Sequence, residues 1–311
     1  MRGFARLLCL LLLVLPASAD WKAPREALDQ RLIVGPYAIY YTLEGSDAIA
    51  PGLPLEQRRQ QAGKIVGELG RQLVDADRYY TRTLGLTPPL QNKRYRNVPA
   101  IDVHVIDLGE KTGSTGDGVI TYTYRHFKSP SPAITIAVSN RWRPPNLTPN
   151  HEMFHAYQYG YTFFKTPWFL EGLARSMEHG FSGKPVMAEP LPDTGLALQA
   201  VMQRSYRADV FWNRLIQLCG TQFVRPLLER LQSLDPAAAR SRGLDASDWP
   251  EDEQRSARNN PYLLLGIRQA MQSQCKIDDS KELQQFDRLL RQEVTPGIAT
   301  VPTRHGRTLS Q

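Results

Sequence analysis

His151-Glu152-Met153-Phe154-His155, HEMFH, stands where the chain passes from strand-like to helical sequence. Thr148-Pro149 just before it offers a capping hydroxyl followed by proline, so the spacing predicts a helix over 149–160. On a helix, residues four apart are turned by only about 40° and lie ~6 Å apart along the axis. His151 and His155 therefore share one face and can reach one Zn2+ ion, each through a ring nitrogen at about 2.0–2.1 Å. Glu152 lies about 100° around from His151, which keeps it out of the coordination sphere but within reach of a water on the metal. A carboxylate so placed suits a general base. The same pentapeptide also fits an ordinary helix face carrying two histidines satisfied by water or backbone.

Eleven residues beyond His155, Thr166-Pro167 opens a second predicted helix, 167–179, with the sequence TPWFLEGLARSMEHG. Glu171 falls one turn into it. A helix–turn–helix hairpin can bring its carboxylate opposite the histidines as the third protein ligand that a catalytic zinc site needs. Glu178, seven residues on, returns to nearly the same face and can accept the outer ring N–H of a ligating histidine. Against that, Glu171 also fits an acidic residue favoured near a helix N-terminus, and Glu178 a solvated one.

Outward from this pair the chain divides in two. Before it, Tyr37–Thr42, Ile101–Ile106, Val119–Tyr124 and Ala133–Val138 read as strands. A long helix is predicted over Leu55–Leu84, with Ile65, Leu69, Leu73, Ala76 and Tyr80 as its buried stripe. Gly113–Gly118 reads as a loop, since it lacks the Lys-Ser/Thr ending of a phosphate loop. After the pair, further helices are predicted over 195–218, 221–233, 260–274 and 279–293, with Asp235–Gln254 as a connection. The fold class is therefore α+β: an N-terminal mixed β-sheet with a long helix, then a mainly helical C-terminal half. One domain over 20–295 is expected, with a sheet-bearing half 20–146, a helical half 147–295, and a mobile tail 296–311.

The chain has 311 residues and a formal charge of +7. Residues 1–19, MRGFARLLCLLLLVLPASA, have a basic start and a nine-residue apolar run. Small residues precede Asp20, so they read as a secretory signal cleaved after Ala19. A run that short does not span a bilayer as a helix, and no other long apolar run follows, so no integral membrane segment is expected after cleavage. Cleavage removes Arg2 and Arg6, leaving 292 residues and a charge of +5. A secreted or periplasmic location follows. Cys219 and Cys275 remain, either bridged or as separate buried thiols. Lys93-Arg94-Tyr95-Arg96 is the one compact basic group, and it reads as a solvated loop, so no nucleic-acid partner is expected.

HEMFH followed by W-x-x-E-G-x-A-x-x-x-E (Trp168, Glu171, Gly172, Ala174, Glu178) resembles the gluzincin metallopeptidases of clan MA. The similarity is greatest to the zinc-helix pair of membrane-alanyl-type and glycyl-type aminopeptidases, and it covers residues 151–178. It implies a thermolysin-like catalytic core, zinc bound by His151, His155 and Glu171, Glu152 as base, and Glu178 supporting a histidine. It also implies a tyrosine or histidine on a later helix to stabilise the oxyanion. Tyr206 is the candidate, with His179 behind it, although Tyr206 also fits a residue at the edge of the core. An extended peptide would be held by strand addition, expected here along Ala133–Val138. The aminopeptidases' G-x-M-E-N segment is absent and the spacer between His155 and Glu171 is shorter, so aminopeptidase specificity is not implied. What is implied is a zinc metallopeptidase acting on peptides or proteins. The alternative is a zinc-binding, non-catalytic protein on the same scaffold, serving as a secreted binding module.

Overall fold

Strands that alternate side chains between two apolar layers organise the N-terminal half. The structure, a computed structural model, describes residues 22–127, 131–182 and 185–294. The segments 1–19 and 296–311 lie outside the described residues. A short helix α1 (Lys22–Glu26) precedes β1 (Gln30–Val34) and β2 (Tyr37–Tyr41), which form a hairpin around Gly35 at φ +58°. That positive φ is the conformation glycine adopts without strain. α2 (Leu55–Arg78) and a π turn (Tyr79–Thr83) follow, then β3 (Ala100–Ile106), β4 (Gly113–Thr115), β5 (Ile120–Thr121) and β6 (Pro132–Ser139). The sheet runs β1-β2-β3-β6-β4, with β5 also on β6. β2, β3 and β6 are mutually parallel, and the others pair antiparallel, so the sheet is mixed.

Period two is plain in the burial. Tyr37 and Ile39, Ile101, Val103 and Val105, and Ile134, Ile136 and Val138 enter the main core with the helices. Ala38, Tyr40, Ile106 and Ala137 turn to a smaller core on the other face, closed by Tyr122 and Tyr124. The expected stripe of α2, from Ile65 to Tyr80, is buried in the main core.

The C-terminal half comprises α3 (Thr148–Tyr161), α4 (Pro167–Ser182), α5 (Gly195–Met202), α6 (Asp209–Cys219), α7 (Val224–Arg240), α8 (Glu251–Arg255), α9 (Asn260–Gln274) and α10 (Lys281–Glu293). A mixed sheet followed by helices gives the α+β class. Cys219 and Cys275 are bridged, tying the end of α6 to the end of α9.

Several elements differ from the sequence reading. The expected helix 195–218 is two helices, separated by a break and a 3-10 turn at Tyr206–Ala208. α7 continues through Pro236 to Arg240, because the buried stripe Leu227, Leu231, Leu234 and Ala238 carries the packing past the proline. Of Val119–Tyr124, only Ile120–Thr121 pairs as strand. Gly113–Thr115, expected as loop, is a strand of the sheet. As a result, Ala133–Val138 is interior, paired with β3 on one side and with β4 and β5 on the other. The free strand beside α3 is β4. Arg94 and Tyr95 are not a solvated basic loop either: Arg94 donates to Asp117 at 2.6 Å and to the Tyr159 carbonyl at 2.9 Å, and Tyr95 is buried.

Candidate metal centre

All fourteen residues of α3 are buried. The helix packs against α2, α4, α7, β4 and β6, so its histidines cannot be a solvated face. The caps differ from expectation at both helices. Thr148 is the first helical residue, and its N–H donates to the Asn146 side chain at 2.8 Å. Thr166 starts α4 through its carbonyl, which accepts from Phe169 and Leu170, while its hydroxyl has no partner among the described residues.

The turn between α3 and α4 brings Glu171 against the HEMFH face. Glu171 Oε2 lies 3.2 Å from His151 Nε2 and 3.4 Å from His155 Nε2. Potential ligand atoms of the three residues all fall within 4.8 Å of one another. Four ligands at about 2.0–2.1 Å on a tetrahedral ion stand roughly 3.3–3.4 Å apart, which matches both distances.

The remaining ring nitrogens decide what these contacts mean. His151 Nδ1 faces Glu178 Oε2 at 3.1 Å, and His155 Nδ1 faces Gln158 Oε1 at 2.9 Å. Gln158 is oriented by its amide nitrogen, which donates to the Leu170 carbonyl at 3.2 Å. A neutral imidazole has one N–H. If each Nδ1–H is donated outward, both Nε2 lone pairs point at a carboxylate oxygen, and three acceptors converge with no proton between them. A cation resolves that arrangement. Without one, the carboxylates must hold a proton on His151: burial opposes its charge, but Glu171 and Glu178 outweigh burial and push its pKa up to about 9. Burial also opposes charge on Glu171, and the two histidines overcome it, holding that carboxyl far below the usual range. The donor set fits a metal ion.

Glu152 is buried in the wall of the same cavity, which has a volume of about 710 Å³. Its Oε2 accepts the Thr115 hydroxyl at 2.8 Å, and that hydroxyl also lies 2.8 Å from the Glu152 carbonyl. Burial raises the Glu152 pKa, while His155, His151 and the Thr115 bond counter it. β4 approaches so closely that a Cβ on Gly113 would stand 2.5 Å from Glu152 Oε1. Glycine is required there by contact, not by conformation.

Tyr206 also reaches the cavity, half exposed, with its ring 5.6 Å from that of His151. Burial and the Glu171 carboxylate push its phenol up to about 12, so it stays a donor across the working pH range. His179 stands apart, 3.7 Å from Asp209 in the wall of a neighbouring cavity. All six site residues expected from sequence, His151, Glu152, His155, Glu171, Glu178 and Tyr206, thus line one cavity.

Thr115, Gly113 and Gln158 were not singled out from sequence. Gln158 could have been, three residues after His155 and so on a neighbouring helical face. Thr115 carries no such signal, since it is 37 residues from Glu152 in sequence. Compared with known protein families, curated proteins and solved structures, the chain matches none.

Proposed function

We propose that the protein is a secreted or periplasmic zinc metallopeptidase of gluzincin type, with a thermolysin-like arrangement of strand, zinc helix and glutamate helix. The observation that carries this reading is the convergence of two imidazole lone pairs and the Glu171 carboxylate, with the buried carboxylate of Glu152 in the same cavity. A structural metal site has no use for an adjacent base and closes its fourth position with protein.

His151, His155 and Glu171 would hold the ion, and zinc there supplies Lewis acidity and lowers the pKa of water. Glu152, kept aimed by Thr115, takes the proton of the attacking water and passes it to the leaving amine. Tyr206 donates its phenolic hydrogen bond to the developing oxyanion. Glu178 and Gln158 hold the two imidazoles in the tautomer that turns Nε2 inward.

β4 supplies the peptide-binding edge. Ser139 N–H donates to the Thr112 carbonyl and Gly116 N–H to that of Thr135, so the backbone groups of Gly113 and Thr115 turn away from β6. Both residues line the cavity, where an extended substrate can add as a strand. The Cys219–Cys275 bridge supports an oxidising compartment.

The test is hydrolysis of a mixed peptide library by zinc-loaded wild type and Glu152→Gln. Cleavage by the wild type, lost at least about a thousandfold in the variant with zinc content unchanged, is the expected result. Zinc bound by both with cleavage by neither would instead establish the non-catalytic binding module.

A further inference from the structure

Arginines stand at both ends of the metal cleft, Arg255 at one and Arg175 at the other, in a lining that also carries Lys111 and Glu110. Beyond His155, the next turn of α3 carries Tyr159, whose ring lies parallel to that of His155 at 5.9 Å with Lys165 Nζ over its face at 4.9 Å. Behind it runs a chain of ion pairs. Arg94 and Lys165 share Asp117 at 2.6 and 3.0 Å, and Lys165 and Arg255 share Glu251, each at 2.7 Å. Three cations face two carboxylates, and the surplus falls on Arg255, which lines the cavity. Its Nε is held by Glu251, while Nη1 and Nη2 have no partner among the described residues. That is a guanidinium held at one nitrogen in the lining of the cleft.

At the opposite end two arginines meet two carboxylates, one of which is committed to a histidine. Arg175, one turn after Glu171, lines both the metal cavity and an adjoining one of about 510 Å³. Arg207 lines the second cavity too. The carboxylates there are Asp209, 4.0 Å from Arg175 and shared with His179, and Glu178, which is committed to His151. Leu147 at this end and Tyr159 at the other are twelve residues apart along the α3 segment, or about 18 Å. An extended peptide covers that span in roughly five residues.

We infer that the cleft selects acidic peptides, taking one carboxylate side chain at Arg255 and a second at Arg175, on opposite sides of the bond that is cut. The selection rests on the peptidase reading only for the position of that bond. Guanidinium–carboxylate pairing gives two directed, charge-assisted bonds at each end, and a glutamine in place of glutamate forfeits the charge. Cations at both mouths also raise the local concentration of acidic segments.

The test is fluorescence anisotropy with a fluorescein-labelled peptide carrying two glutamates about five residues apart, against its glutamine counterpart. The protein is the zinc-loaded full chain bearing Glu152→Gln, so that bound peptide is not consumed. The glutamate peptide is expected to bind about tenfold tighter at low salt, with the preference shrinking as salt rises. Arg255→Met and Arg175→Met should each reduce that preference about threefold or more, and Arg255→Lys should restore part of it. Arg59→Met, on the exposed face of α2, should leave the preference as it was. Equal affinity for the two peptides, or a loss with Arg59→Met as large as with Arg255→Met, would overturn the inference. A glutamate preference carried by both arginines in a wild type that cleaves neither peptide would remove the peptidase reading and leave the acidic cleft standing. Equal cleavage of both peptides would do the reverse.

Discussion

The hydroxyl of Thr115, on a free sheet edge, holds the carboxylate of Glu152, on a buried helix, at 2.8 Å. This bond joins the strand that would bind substrate to the group that would move its proton. A hydrogen bond to a charged partner is worth about 1.5–3 kcal/mol. Thr115→Val should therefore lower kcat/KM by about ten- to a hundredfold, with zinc content unchanged and Thr115→Ser close to wild type. The bond favours the ionised carboxylate, so its loss raises the pKa of Glu152 further. The acid limb of the pH–rate profile should move to higher pH in the valine variant. An unmoved limb would take Thr115 out of the proton path.

Gly113 tests the same contact from the backbone side. A methyl group there would meet Glu152 Oε1 at 2.5 Å and Thr148 Cγ2 at 2.6 Å. Gly113→Ala must push β4 away from α3 or turn the Glu152 carboxylate aside. Misplacement of this order costs about a hundredfold in rate. Overpacking costs about 1–3 kcal/mol of stability, which denaturant unfolding would read.

Gln158 Oε1 stands 2.9 Å from His155 Nδ1 and favours the tautomer protonated there. Gln158→Leu removes the acceptor at Nδ1, and zinc affinity should fall about ten- to a hundredfold in competition with a chelator. Gln158→Glu keeps an acceptor there and should retain tight binding.

Asp235 gives a pH signature unconnected with the metal. Burial pushes its carboxyl up to about 8, against the Thr162 hydroxyl and the Phe163 N–H that favour ionisation. Between about pH 4 and pH 8 the folded protein holds a proton that the unfolded chain has released, so this group makes stability fall as pH rises. The slope is at most about 1.4 kcal/mol per pH unit. Asp235→Asn removes it, so the variant should gain on wild type steadily from pH 5 to pH 8 in urea unfolding. Parallel stability curves would show that Asp235 is already ionised in the fold.

Much of this centre was legible in the sequence because helical spacing is local information. His151 and His155 at four residues, and Glu171 and Glu178 at seven, define their faces without knowledge of the rest. The parallel strands β2, β3 and β6 were legible too, since β-rich segments bounded by turns, with apolar and polar residues alternating in the first part of β3, mark a strand even where both faces prove buried. The edge strand was not. Gly113-Ser114-Thr115 has no apolar alternation, because one side of it faces the cavity of the candidate metal centre and the other only β6. Its identity is set by β6 and by Glu152, both distant in sequence. The unbroken reading of 195–218 failed for a related reason: no proline or glycine marks the break at Gln203–Ser205, and the break is what delivers Tyr206 to the cavity. The arginines of the cleft were invisible as a set, since Arg175 and Arg255 come from helices eighty residues apart in sequence.

The most direct measurement is zinc K-edge X-ray absorption on the purified chain, with metal content determined on the same sample. The account predicts one zinc per chain, bound by two imidazole nitrogens and carboxylate oxygen at about 2.0–2.2 Å, with an exchangeable oxygen completing the shell. His155→Ala or Glu171→Ala should abolish stoichiometric zinc, while Glu152→Gln should leave the spectrum as it was. A wild-type chain that holds no stoichiometric metal, or one whose zinc is closed by four protein ligands, would contradict it.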